Sequence, residues 1–121
     1  MDKSHLDFEI RFYEGILKKR PRYVDALMPL ADAYTRKGFF EKGLEIDKRL
    51  ALICKDDPVV FYNLACSYAL VSKRKEALKT LKKSVKLGYH DFKHMRRDKD
   101  LECLFGDPEF EALFPSKSKS A

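Results

Sequence analysis

The stretch LADAY, residues 30–34, recurs 34 residues later as LACSY, residues 64–68. A fixed period of this size is typical of stacked-repeat proteins, in which each repeat is one helical hairpin that buries its apolar face against its neighbours. Residues that favour helix ends flank both copies: Gly38, typical of a helix C-terminus, follows the first, and Asp57-Pro58, typical of a helix N-terminus, precedes the second. We therefore predict an all-α fold of stacked helical hairpins.

The composition bounds the kind of protein. The chain has 121 residues, 45% hydrophobic and 36% charged, which fits one domain. Its three cysteines, Cys54, Cys66 and Cys103, are odd in number and widely spaced, which argues against a disulfide framework or a zinc site and indicates a reducing compartment. No apolar run is long enough to span a membrane and no secretory signal is visible, so we predict a cytoplasmic location.

Apolar periodicity places the helices. It predicts a first helix over 5–19 and then two hairpins, the first from helices 24–37 and 40–54 and the second from helices 58–71 and 75–87. After Gly88 the pattern decays into a short helix over 91–97 and another that starts at Asp107-Pro108. Pro29 predicts a late start or a kink in the helix over 24–37.

Both hairpins resemble the tetratricopeptide repeat, a unit of 34 residues, and the ending resembles the C-terminal cap of small bacterial proteins of this family. The first hairpin matches through Leu27, Leu30, Ala31, Tyr34, Gly38 and Gly43, and the second through Phe61, Leu64, Ala65, Tyr68, Ala77 and Leu81. The pattern departs at Asp47, where an aromatic residue is usual, and at Lys55, Ser72 and Tyr89. The resemblance implies a right-handed α-α superhelix forming one domain over 1–115, with a half repeat (5–22), two repeats (24–57 and 58–91), a degenerate cap (92–114) and a disordered tail (116–121).

The resemblance also implies a concave groove lined by the first helix of each repeat. In this register the groove residues are Met28, Asp32, Tyr62, Asn63, Cys66, Leu70, Lys93, Arg96 and Arg97. We expect apolar anchoring at Met28, Tyr62 and Leu70, and a basic end that favours an extended peptide with an acidic end. The predicted function is a non-catalytic adaptor or scaffold that binds a partner protein or peptide.

One family use of such a groove fits only in part. Some members clamp acidic C-terminal tails of chaperones with five groove residues, and Asn63, Lys93 and Arg97 occupy three of those positions. Asp32 stands at a fourth position and would repel a carboxylate.

A lysine stripe offers the alternative function. The net charge of +6 is concentrated in the second half, where residues 58–121 hold 13 Lys and Arg against 8 Asp and Glu. The helix over 75–87 carries on one face Lys75, Lys79, Lys82, Lys83 and Lys86. This face could contact the phosphates of RNA or an anionic surface, although the absence of interleaved aromatic residues disfavours nucleic acid.

The first helix predicts self-association. One apolar stripe suffices to pack on the next hairpin, and a second stripe lies beside it, formed by Phe8, Phe12 and Ile16. An uncovered apolar stripe marks a protein-interaction surface. Either the sequence is a piece of a longer chain that covers the stripe, or the stripe pairs with a second copy in a homodimer through this helix.

No catalytic or cofactor motif is present. His90 and His94 stand four residues apart and could share a metal ion on a helix, but no third strong ligand is evident in the sequence, and ordinary surface histidines are the favoured interpretation. Because phosphate-binding loops and nucleophile motifs are also missing, we predict no enzyme activity, no cofactor and no metal.

Overall fold

The computed structural model describes residues 3–116, with side chains from residue 5 onward. Every regular element in this range is helical: α1 (Lys3–Lys19), α2 (Val24–Lys37), α3 (Phe40–Ile53), α4 (Pro58–Leu70), α5 (Arg74–Lys86), α6 (Phe92–Arg97), a 3₁₀ helix (Lys99–Leu104) and α7 (Pro108–Glu111). The predicted all-α fold is confirmed, and the bounds of α2 to α5 lie within about one residue of those predicted. Apart from Ser116, the predicted tail 116–121 lies outside the described residues.

The turns follow the predicted punctuation. Gly38 has a φ of 91° and its amide bonds to the carbonyl of Thr35, which is the left-handed C-cap that glycine adopts without strain. Asp57 caps α4 by accepting hydrogen bonds from the amides of Val59 (2.9 Å) and Val60 (3.3 Å). Of the late start or kink expected from Pro29, the late start does not occur: α2 begins at Val24, and the carbonyl of Tyr23 closes the first turn ahead of the proline.

Consecutive helices from α1 to α5 pack against one another, and α4 also packs against the 3₁₀ helix. One core cluster joins α1, α2 and α3 around Leu27 and Leu30, while a second joins α4 and α5 to the C-terminal segment around Leu81 and Phe110. A small third cluster of Leu44, Phe61 and Leu64 connects the two hairpins. The chain is thus a continuous stack in which the C-terminal segment covers the last hairpin.

Helix α1 docks on α2 by one apolar stripe and several polar contacts. Its buried residues are Leu6, Ile10 and Leu17. Arg36 of α2 pairs with Glu9 at 3.1 Å, and Lys37 and Tyr34 bond to Asp7 and Glu14. Within residues 3–116 no helix combines the length and apolarity that crossing a membrane requires.

Candidate partner-binding groove

A cavity of about 280 Å³ opens on the face formed by α2, α4 and the start of the C-terminal segment. Its walls combine apolar, neutral polar and acidic side chains from both hairpins. They are Met28, Ala31, Asp32, Thr35, Asp47, Leu50, Tyr62, Asn63, Cys66, Ser67, Leu70, His94, Asp98 and Asp100.

Most of the predicted groove residues meet in this cavity. Six of them line it: Met28, Asp32, Tyr62, Asn63, Cys66 and Leu70. Tyr62 is built into the wall, because its ring stacks on Tyr89 with centroids 4.2 Å apart and only 4% of the residue is exposed. The freely presented side chain on this wall is that of Asn63, which is exposed.

The predicted basic end of the groove is not part of this cavity. Lys93, Arg96 and Arg97 do not line the cavity. Helix α6 is rotated so that Met95 is fully buried in the core, and this rotation directs His94 at the cavity. Arg96 instead contacts Glu111 at 2.9 Å and lies 3.7 Å from the ring centroid of Phe114. These contacts join α6 to α7 and to Phe114.

Acidic residues take the place of the expected basic ones. Four carboxylates line the cavity, from Asp32, Asp47, Asp98 and Asp100, and no lysine or arginine does so among the described residues. Asp32 lies at the rim, where it is exposed and accepts a hydrogen bond from Arg36 at 2.8 Å. The charge of this groove is therefore opposite in sign to the net charge of the chain.

Asp47 is the most unusual of these carboxylates. It projects from α3, is only 4% exposed, and Ser67 donates a hydrogen bond to its Oδ2. Its Oδ1 has no hydrogen-bond donor, and Asp47 forms no ion pair, among the described residues. Burial raises its pKa to about 6, with a further contribution from the negative charge of Asp32.

Asp98 organises the opposite wall. Its Oδ2 accepts a hydrogen bond from the hydroxyl of Tyr62 (2.7 Å) and lies 3.1 Å from Nε2 of His94. Its Oδ1 caps the 3₁₀ helix by accepting from the amide of Asp100 (3.0 Å). Burial, and then the charge of Asp98, raises the pKa of Asp100, so a second acidic side chain in this cavity is poorly solvated.

Cys66 completes this wall. One ligand atom from each of Cys66, Asp98 and Asp100 lies within 4.8 Å of the others, a grouping that could hold a metal ion. Burial raises the pKa of the Cys66 thiol well above its ordinary value, which keeps it protonated. The two histidines singled out in the sequence diverge, since His94 bonds to Asp98 and His90 bonds to the carbonyl of Gly88.

The lysine face forms a second concavity, of about 770 Å³, on α4 and α5. Its floor is apolar, from Phe61, Tyr68 and Leu87, and its rim carries Lys79, Lys82, Lys83 and Lys86. Two of these lysines already have partners: Lys83 lies 4.5 Å from the ring centroid of Phe61, and Lys82 pairs with Glu109.

The first helix exposes part of its second apolar stripe. Phe8 and Phe12 are 61% and 54% exposed and stack on each other, with centroids 6.3 Å apart. Ile16 departs from the predicted self-association surface, because it is half-buried and packs on the first core cluster.

Among the cavity residues that sequence reasoning missed are the ionisable side chains of Asp47, His94, Asp98 and Asp100. A signal for Asp47 was present, because it occupies a position at which the repeat pattern expects an aromatic side chain. The other three lie beyond the second repeat, where the pattern no longer fixes which side of the chain faces the groove.

Comparison with known proteins gives a distant similarity. No protein-family model matches the chain. Over 113 residues it is 30% identical to a chloroplastic protein of Arabidopsis thaliana, a match that covers 88% of this chain. It covers 33% of that relative, so the chain spans about a third of its length.

Proposed function

We propose that this chain is a tetratricopeptide-like, non-catalytic adaptor that binds an extended segment of a partner protein in the groove between α2 and α4. One observation carries the proposal: the cavity of about 280 Å³ collects side chains from both hairpins and from the C-terminal segment on one face. A surface of this kind exists only when the helices are stacked, which suits a rigid scaffold for recognition.

The chemistry of the walls suits a peptide. Met28, Leu50 and Leu70 provide apolar contacts of the kind that anchor a bound side chain. The exposed amide of Asn63 can both donate to and accept from the main chain of an extended segment. Because the helices supply these groups from a fixed framework, little ordering cost falls on the protein when it binds.

A peptide-library selection tests this proposal. Peptides selected on the wild-type chain are expected to lose binding to Asn63→Trp, whose indole would fill the groove. They should retain binding to the matched control Glu45→Trp, which places the same ring on an exposed position of α3. Peptides that bind both variants equally well would contradict the groove as the binding site.

Self-association through α1 is a second proposal, favoured by the exposed and stacked rings of Phe8 and Phe12. A two-fold pairing would bury each patch against its copy. The solution mass should then fall from dimer to monomer in Phe8→Glu/Phe12→Glu. A wild-type chain that stays monomeric at high concentration would contradict pairing.

An anionic partner for the lysine face is the alternative function. Its support is the row of lysines around an apolar floor, which fits a negatively charged surface. Binding at the lysine face should weaken steeply with salt and should be unaffected by Asn63→Trp, whereas groove binding with apolar anchors should be less sensitive to salt.

The cytoplasmic location stays a prediction, and the name of the relative assigns that protein to the chloroplast.

A further inference from the structure

We propose that the groove recognises a cationic side chain, and specifically that an arginine of the bound segment inserts between Asp47 and Asp100. This inference rests on the proposed function, since it names the chemistry that the same cavity selects.

Asp47 is a buried carboxylate that lines the cavity. A buried carboxylate is stable when it is paired with a cation or fully hydrogen-bonded, because removing it from water is costly. Asp47 receives one hydrogen bond, from Ser67, and its Oδ1, which has no donor among the described residues, is not enclosed by protein. The side chain lines the cavity, so an occupant can reach this atom.

The charged groups around Asp47 in the cavity are mainly carboxylates. Asp100 also lines the cavity and forms no ion pair with a described residue. Asp32 and Asp98 line the same cavity, where Nε2 of His94 lies 3.1 Å from Oδ2 of Asp98, so four carboxylates share one electrostatic environment. No lysine or arginine of the described chain lines the cavity to offset them. A cation is the occupant that this charge complements.

The cavity is large enough to hold a long side chain. An apolar cavity of about 150 Å³ accepts a benzene molecule, and the present one measures about 280 Å³, which leaves room for a long side chain. Met28, Leu50 and Leu70 suit the methylenes of such a side chain. Arginine fits better than lysine, because a planar guanidinium presents several donors at once to separate carboxylates.

A pair of tripeptides tests the inference on the full chain. Acetyl-Leu-Arg-Leu-amide is titrated at neutral pH beside its citrulline counterpart, which has nearly the same shape and no charge. Binding is followed through the backbone amide signals in two-dimensional NMR spectra. We expect the arginine peptide to shift amides around the cavity and to bind about ten-fold more tightly than the citrulline peptide.

Two variants locate the effect. Asp47→Asn should lose most of the preference for arginine, while Asp56→Asn should keep it, since it removes the same charge from an exposed turn outside the cavity. Zinc chloride is added in a separate arm, because Cys66, Asp98 and Asp100 could instead hold a metal ion. One equivalent of zinc that shifts the same amides and blocks the peptide would assign the cavity to a metal and overturn the inference.

The remaining outcomes are also decisive. Equal affinity for both peptides, an unchanged preference in Asp47→Asn, or no binding of the arginine peptide at millimolar concentration would each overturn the inference. The groove adaptor itself would survive these results if library peptides still depend on Asn63. It would fail separately if they do not.

Discussion

The two hairpins differ most at one buried position of their second helices. Asp47 of α3 and Leu81 of α5 stand 34 residues apart, at equivalent places in the repeat. Leu81 is fully buried within the core cluster that includes Ala77 and Met95, whereas Asp47 is 4% exposed and lines the cavity. Since the second hairpin closes with a leucine here, the fold does not require a carboxylate. If the proposed groove binds a cation, Asp47 would serve that binding at the expense of stability.

The largest effect on stability is expected when a polar residue is introduced at the equivalent position of the second hairpin. Leu81→Asn removes a fully buried apolar side chain and buries an amide without hydrogen-bond partners. We therefore expect the free energy of unfolding to fall by about 3–5 kcal/mol. Urea denaturation followed by circular dichroism measures it. A loss below about 1 kcal/mol would mean that this position tolerates polarity in both hairpins.

A smaller effect of opposite sign is expected in the first hairpin. Asp47→Asn removes a charge that burial disfavours, so it should raise the free energy of unfolding by about 1–3 kcal/mol at neutral pH. The same denaturation experiment serves, and Leu81→Asn is the control that introduces the same residue. An Asp47→Asn chain less stable than the wild type would show that the carboxylate supports the fold.

The stability difference between Asp47→Asn and the wild type should depend on pH. The pKa of Asp47 is raised from 3.8 to about 6, so the folded chain binds this proton more tightly than the unfolded chain does. The stability due to that proton is present at low pH and is lost as the pH rises through about 6. The advantage of Asp47→Asn should therefore open between about pH 4 and pH 6, and a difference that does not vary with pH would contradict it.

The smallest effects are expected at the turns. Gly38 and Ser72 occupy equivalent positions, and both have positive φ, 91° and 64°. Gly38→Ser should lower the free energy of unfolding by about 1 kcal/mol, because a Cβ disfavours the left-handed conformation. Ser72→Gly should raise it by only a few tenths, since glycine also gains entropy in the unfolded chain. Thermal melting compares the two, and unchanged stability in Gly38→Ser would contradict the argument.

The 34-residue repeat period was enough to predict most of the fold. It placed α2 to α5 because residues such as Leu30, Leu64 and Gly38 have local reasons for their positions, namely burial on one helix face or a left-handed cap. It also placed Met28, Asn63 and Leu70 on the face where the cavity opens. These predictions depend only on spacing along a helix, which a sequence displays directly.

The charge of the groove could not be predicted in this way. It depends on the rotation of α6, which the burial of Met95 sets and which points His94 rather than Arg96 at the cavity. It depends also on the 3₁₀ helix, which carries Asp100 beside α4. Both result from packing between segments distant in sequence, so a local pattern does not determine the charge of the cavity.

The ionisation of Asp47 tests the central claim most directly. Its carboxyl carbon can be followed by NMR through a pH titration, with and without the acetyl-Leu-Arg-Leu-amide peptide. We predict a pKa of about 6 for Asp47 in the free chain. This pKa should fall toward the ordinary range when the arginine peptide is bound, because a nearby cation stabilises the carboxylate. A pKa that the arginine and citrulline peptides leave equally unchanged would contradict it.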